Sequence, residues 1–116
     1  MSRAAKWILT LQDMGSFGLP MELIIGGVCK ALNVGRRDLH SPQRNRGLVE
    51  ARHIFYWFAR MYTTRSYPEI GHFINRDHGT VIHGVRKIDA NILRYMPKLR
   101  AVASEIGVNL YDRKAA

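Results

Sequence analysis

The chain has 116 residues, enough for one domain whose core needs no disulfide or metal staple. Eighteen Lys and Arg stand against nine Asp and Glu, and the net charge of +9 points to a polyanionic partner, either nucleic acid or an acidic membrane surface. Plentiful apolar residues exclude wholesale disorder, the single Cys29 excludes an intrachain disulfide, and no apolar run is long enough to span a membrane.

The first residues carry a charge and a broken apolar run without a small-residue cleavage site, which does not fit a signal peptide. A cytoplasmic, nucleoid-associated protein is expected. Trp7, Ile8, Leu11 and Met14 recur at helical spacing and predict a short amphipathic helix within residues 1–15. After the Gly15–Gly18 break, Pro20 suits the first turn of a helix. Met21, Ile24, Ile25, Val28, Cys29 and Leu32 form its apolar face, and Asn33 and Gly35 end it. Cys29 lies on that stripe and reads as an inert thiol. Gly26 and Gly27 weaken the helix by about 1 kcal/mol each relative to Ala and leave room for another backbone to come close. Residues 36–46 read as a polar, flexible connector with a single turn near Asp38 and Leu39.

A longer helix is expected from Gly47 to about Thr63, with Leu48, Ala51, Phe55, Phe58 and Tyr62 as its buried stripe and Ile54 and Met61 widening it. Ser66 and Glu69 have capping-box spacing, with Pro68 near the helix start. Asn75 is a left-handed stop, and Asp77 is positioned to cap the next helix. Val81, Val85, Ile88, Ile92 and Met96 predict one helix over 78–96, closed by Pro97. A last helix is expected over 98–106, with a loose tail to 116. No segment alternates with period two. The fold class is therefore all-α, a bundle of about six helices containing a helix-turn-helix, with 18–97 as the main domain and 98–116 as a terminal helix and tail.

Residues 65–88 carry the chemistry. Two helices joined by a tight turn, the second opening on polar and basic residues, form the layout that reads a DNA groove. If the apolar face of the second helix is buried, Arg76, Asp77, His78, Thr80, His83, Arg86 and Lys87 fall on or beside the outer face. Short polar groups at a helix start reach base edges, while Thr80 and the free amides of the first turn suit a phosphate. Arg44 and Arg46 sit on the connector, where a mobile arginine arm can enter a narrow minor groove. Arg52 and Arg60 on the long helix are candidate phosphate clamps. Seven arginines between 36 and 65 face only Asp38 and Glu50, so the charge gathers around this reader.

The run PEIGHFINRDHGTVIHGVRKID resembles the signature of the C-terminal DNA-binding domain (domain IV) of the bacterial chromosomal replication initiator DnaA. VCKALNVGRRDLHSPQRNRGLVEARHIFYWFAR resembles the same domain's first helix, basic loop and long helix, and together the similarity spans roughly 21–90. The resemblance implies a Trp-repressor-like helix-turn-helix fold and binding to double-stranded DNA at initiator-type boxes. It places Arg44 in a minor groove, Asp77 and His78 on bases, Thr80, His83 and Arg60 on phosphates, and Tyr67-Pro68 at main-chain contacts. His53 replaces a Gln that lies at the DNA surface, and its role is open. Gly79 stands where the family has a Thr that packs on a thymine methyl. Ile74-Asn75 replaces a Gly-Gly pair, and Glu50-Ala51 replaces Arg-Pro, losing a positive charge near DNA.

No GxxxxGK[ST] phosphate loop occurs, so the sequence holds no ATPase motor of its own. A host initiator or another replication protein is a candidate partner, and oligomeric state is left open. No metal set, cofactor site or nucleophile–base pair is evident, so an enzyme is not expected. Three rivals stand beside box recognition. They are a regulator bound to a different operator, an RNA binder, and a protein-interaction module using Trp7, Trp57 and the 98–106 helix.

Overall fold

The structure is a computed structural model that describes residues 18–110, so the expected helix in 1–15 and the tail after 110 lie outside the described residues. Six helices follow one another: α1 Met21–Leu32, α2 Arg36–His40, α3 Arg46–Tyr62, α4 Tyr67–Phe73, α5 His78–Ala90 and α6 Ile92–Ile106. Among the described residues the β structure amounts to one isolated bridge, Gly18 to Thr63.

α3 is the axis of the molecule. Every residue from Ala51 to Ala59 is buried, although a one-sided stripe was expected. The reason is that α1, α2, α4 and α5 all pack on this one helix, so no side of its middle turns meets water. Asn45 starts it by accepting a hydrogen bond from the Leu48 amide at 2.9 Å.

α1 runs as expected, with Pro20 at the cap position and Asn33 ending it at φ 55°. Its two glycines differ. Gly27 lies against Ile106, where a Cβ would collide, whereas a Cβ on Gly26 would meet nothing within 4 Å. Close packing of α1 on α6 therefore explains Gly27 and leaves Gly26 unexplained.

The predicted helix over 78–96 is two helices. It breaks at Asn91, whose side-chain Nδ2 donates to the Lys87 carbonyl at 2.9 Å and closes the last turn of α5. α6 then continues through Pro97. The missing proline N–H leaves the Leu93 carbonyl without its helical donor. Leu93 is 76% exposed, so water can serve that carbonyl. The expected boundary at 97/98 thus falls inside α6. Leu99, Val102, Ala103 and Ile106 are buried where α6 packs on α1, which makes 98–106 part of the body.

The helix-turn-helix is α4, a four-residue turn and α5. Ser66 and Glu69 form the reciprocal capping box. The turn folds back through the Arg76 amide donating to the Gly71 carbonyl at 2.7 Å, with Asn75 left-handed at φ 65°. A Cβ on Gly71 would strike the Arg76 carbonyl, so the turn requires glycine there.

Candidate nucleic-acid interface

α5 presents two unlike sides. Val81, Gly84, Val85 and Ile88 are buried, while His78, Gly79, Thr80, His83, Arg86 and Lys87 are exposed, as is the capping Asp77. Gly84 sets how close the helix sits. A Cβ there would come within 2.6 Å of Tyr56 and 2.8 Å of His53. At the far end, Trp57 Nε1 donates to Asp89 Oδ1 at 2.8 Å, fixing α5 to α3 a second time. The outer face is thereby held at a defined height above the core.

Asp77 accepts from the Thr80 amide at 2.7 Å, and that bond holds its carboxyl below the usual aspartate range. It remains exposed and ionised, so the cap is also an acceptor available to a base amino group. The cap changes the expectation for Thr80. Both its amide and its hydroxyl bond to Asp77, so Thr80 offers a phosphate its hydroxyl only by giving up a bond to the cap. Gly79 is helical and open, since a Cβ there would find only Asp77 Oδ1 at 3.6 Å. A side chain at this position would therefore have room.

Three of the expected contact residues are placed differently. Arg52 is not a phosphate clamp. It is 4% exposed, and its guanidinium donates to the carbonyls of Leu39, Asp38 and Ser41, each at 2.9 Å. His53 is not at the surface either. It is 8% exposed beneath His83, the rings meeting edge to face at 5.9 Å. Burial, reinforced by His83 and Lys87, pushes its pKa down to about 4, so it is neutral at pH 7. Arg76 is half-buried and bonded to the carbonyls of Ile74, Asn75 and Ser41.

The basic connector, expected as a flexible arm, is anchored at both ends. Ser41 is held by Arg52 and Arg76, and Asn45 caps α3. Pro42, Gln43 and Arg44 bridge two fixed points, with Arg44 and Arg46 exposed. Asn45 was missed in the sequence, although an Asn directly before a helix is an ordinary cap signal.

Arg60 is exposed and stacks on Tyr67, its guanidinium carbon 4.4 Å from the ring centre. Pro68 has no N–H, so of the Tyr67-Pro68 pair only Tyr67 can offer an amide. Glu50 pairs with Lys98 of α6, so its charge is neutralised within the protein.

The ion pairs leave the cations around this face unneutralised. Among the described residues the pairs are Lys30–Glu105, Arg36–Glu22, Arg65–Glu69 and Lys98–Glu50. Arg44, Arg46, Arg60, Arg86 and Lys87 have no carboxylate at ion-pair distance among those residues. The surface of the interaction-module rival is largely used up. Trp57 is buried and bonded to Asp89, and the apolar side of 98–106 lies on α1. Trp7 lies outside the described residues. Among the described residues no three His, Cys, Asp or Glu side chains converge as a metal set, and no helix is long and apolar enough to cross a membrane.

Residues 21–88 match the family described as "Bacterial dnaA protein helix-turn-helix". The chromosomal replication initiator protein DnaA of Agrobacterium fabrum is 49% identical over 63 residues, 53% of this chain and 13% of that protein. Its counterpart in Xanthobacter autotrophicus is 45% identical over 86 residues, 73% of this chain and 16% of that protein. In Oleidesulfovibrio alaskensis the identity is 34% over 95 residues, 82% of this chain and 20% of that protein. The chain thus spans a minor part of each relative. The matched segment takes in α1 to the end of the buried stripe of α5, the helix-turn-helix included, and the chain belongs to the bacterial DnaA helix-turn-helix family.

Proposed function

We propose that this protein binds double-stranded DNA sequence-specifically at initiator-type boxes and acts in replication initiation or its control. The observation that carries the reading is the outer face of α5 with its basic surroundings. Asp77, His78, Thr80 and His83 are exposed on a helix pinned to the core, beside cations that no carboxylate of the described protein neutralises. A short polar group at a helix start reads base edges, and unneutralised arginines and lysines take phosphates. Asp77 and His78 contact bases, and the Thr80 hydroxyl, His83 and Arg60 contact phosphates. Arg44 enters the adjacent minor groove. The role is recognition, with no catalytic step.

Selection of bound duplexes from a random pool tests the reading. Enrichment of one common box, with an A·T-rich edge that loses its preference in Arg44→Ala, is the expected result. Retained binding with no enriched sequence would contradict base recognition and leave only a phosphate binder.

A further inference from the structure

Two arginines from different elements converge on one carbonyl. Arg52 of α3 donates to Asp38 O, Leu39 O and Ser41 O, each at 2.9 Å. Arg76, in the turn before α5, donates to Ser41 O and also to Ile74 O at 3.3 Å and Asn75 O at 3.2 Å. One Arg76 side chain thus bridges the start of the basic loop to the turn that aims the recognition helix. Neither guanidinium has a carboxylate partner among the described residues, and burial and the neighbouring Arg76 and Arg44 lower the pKa of Arg52. Placing two like charges together is unfavourable, and carbonyl oxygens are what hold them there. Simple packing of α2 on α3 would not need this arrangement.

We propose that Arg52 and Arg76 are positioning residues that clasp the basic loop to the helix-turn-helix, so that loop and α5 read a duplex as one rigid body. The consequence is a specificity determinant with no base contact of its own. The chain measures the separation and phase between its minor-groove and major-groove contacts. Only Pro42, Gln43 and Arg44 lie between the clasped Ser41 and the capping Asn45, which leaves Arg44 little freedom to follow a displaced groove. The inference rests on the duplex-reading role proposed above and adds a geometric requirement to it.

The test uses the full chain and the duplex it selects. One base pair is inserted between the edge sensitive to Arg44→Ala and the block read by α5. Insertion moves one contact relative to the other by about 3.4 Å along the axis and by about 35° around it. Wild-type affinity is expected to fall by about tenfold or more, comparable to a mismatched base pair. Arg76→Gln is expected to bind the parent duplex more weakly, yet to lose less than about threefold on insertion, because its loop can adjust. Helical circular dichroism establishes that the variant is folded. Should it unfold, Arg76→Lys, which keeps the charge and fewer bonds, is read the same way, and mere destabilisation would not make a protein tolerant of spacing. An equal penalty in wild type and variant overturns the clasp, as does a selective wild type indifferent to the insertion. A wild-type chain with no preferred duplex at all overturns the underlying reading instead.

Discussion

Asp77 does two things through one carboxylate. It caps α5 by accepting from the Thr80 amide, and it is exposed, as the proposed base contact requires. Asparagine caps helices as well as aspartate does, but it brings an amide donor and no charge. Asp77→Asn is therefore expected to leave the thermal midpoint nearly unchanged while weakening the selected duplex by roughly tenfold. Asp77→Ala should lower both. Wild-type affinity in Asp77→Asn would assign the residue to capping alone. His53 has a different signature. Its folded pKa of about 4 lies below the ordinary value of 6.5 because it is buried, and His83, Lys87 and Arg52 add to the shift while Glu50 opposes it. The unfolded chain thus binds the extra proton between these two values. Stability from this group is complete above about pH 6.5 and is lost as pH falls toward 4. Allowing for solvent screening, the loss is on the order of 1–2 kcal/mol. His40 is lowered too, by burial and then by Arg36 and Arg76, and contributes in the same direction. Urea unfolding at pH 5 and pH 7 should show a smaller difference in His53→Gln than in wild type, and an unchanged difference would place the titration elsewhere.

At the scale of elements, α5 offers a paired comparison in one helix. Gly84→Ala drives a methyl into Tyr56 and His53 at 2.6 and 2.8 Å. Overpacking of this kind costs about 1–3 kcal/mol and tilts the reading face. Gly79→Ala places the same methyl in open space on the same helix and is expected to stabilise by about 0.4–1 kcal/mol. Chemical unfolding of both variants checks the opposite signs, and destabilisation by both would mean that Gly79 is needed for its backbone. These helices were legible from the sequence where a local rule decided the outcome. The capping box at Ser66, the left-handed Asn75 and the Asp77 cap are each written in a few adjacent residues. The break at Asn91 was not legible, because Ile92 and Met96 extend the periodicity of Val81, Val85 and Ile88 across it. Pro97 misled for the opposite reason, since a proline tolerated on a solvent-facing turn looks in sequence like one that stops a helix. Arg52 and His53 looked like surface residues because polarity is local information. Their burial follows from four helices converging on α3, and periodicity cannot report that. The outer face of α5 was readable for the same reason that its inner face was, since one apolar stripe defines both.

For the whole molecule, the net charge of +9 is unevenly used. Lys30, Arg36, Arg65 and Lys98 are paired with Glu105, Glu22, Glu69 and Glu50, whereas Arg44, Arg46, Arg60, Arg86 and Lys87, like Arg37, Arg94 and Arg100, have no such partner among the described residues. Attraction to a polyanion should come from the unpaired cations, and bases should be distinguished by the short side chains at the start of α5 together with Arg44. Phosphate contacts act on any duplex, and base contacts act only on the right one. Affinity measured against salt, on the selected duplex and on an unrelated one, for wild type and His78→Ala, separates the two contributions. A log–log slope near −5 is expected on both duplexes, from about five or six neutralised phosphates. His78→Ala is expected to erase most of the preference between the duplexes without altering that slope. A slope near zero, or a preference that survives His78→Ala undiminished, would rule out base reading by this helix on a phosphate-bound duplex.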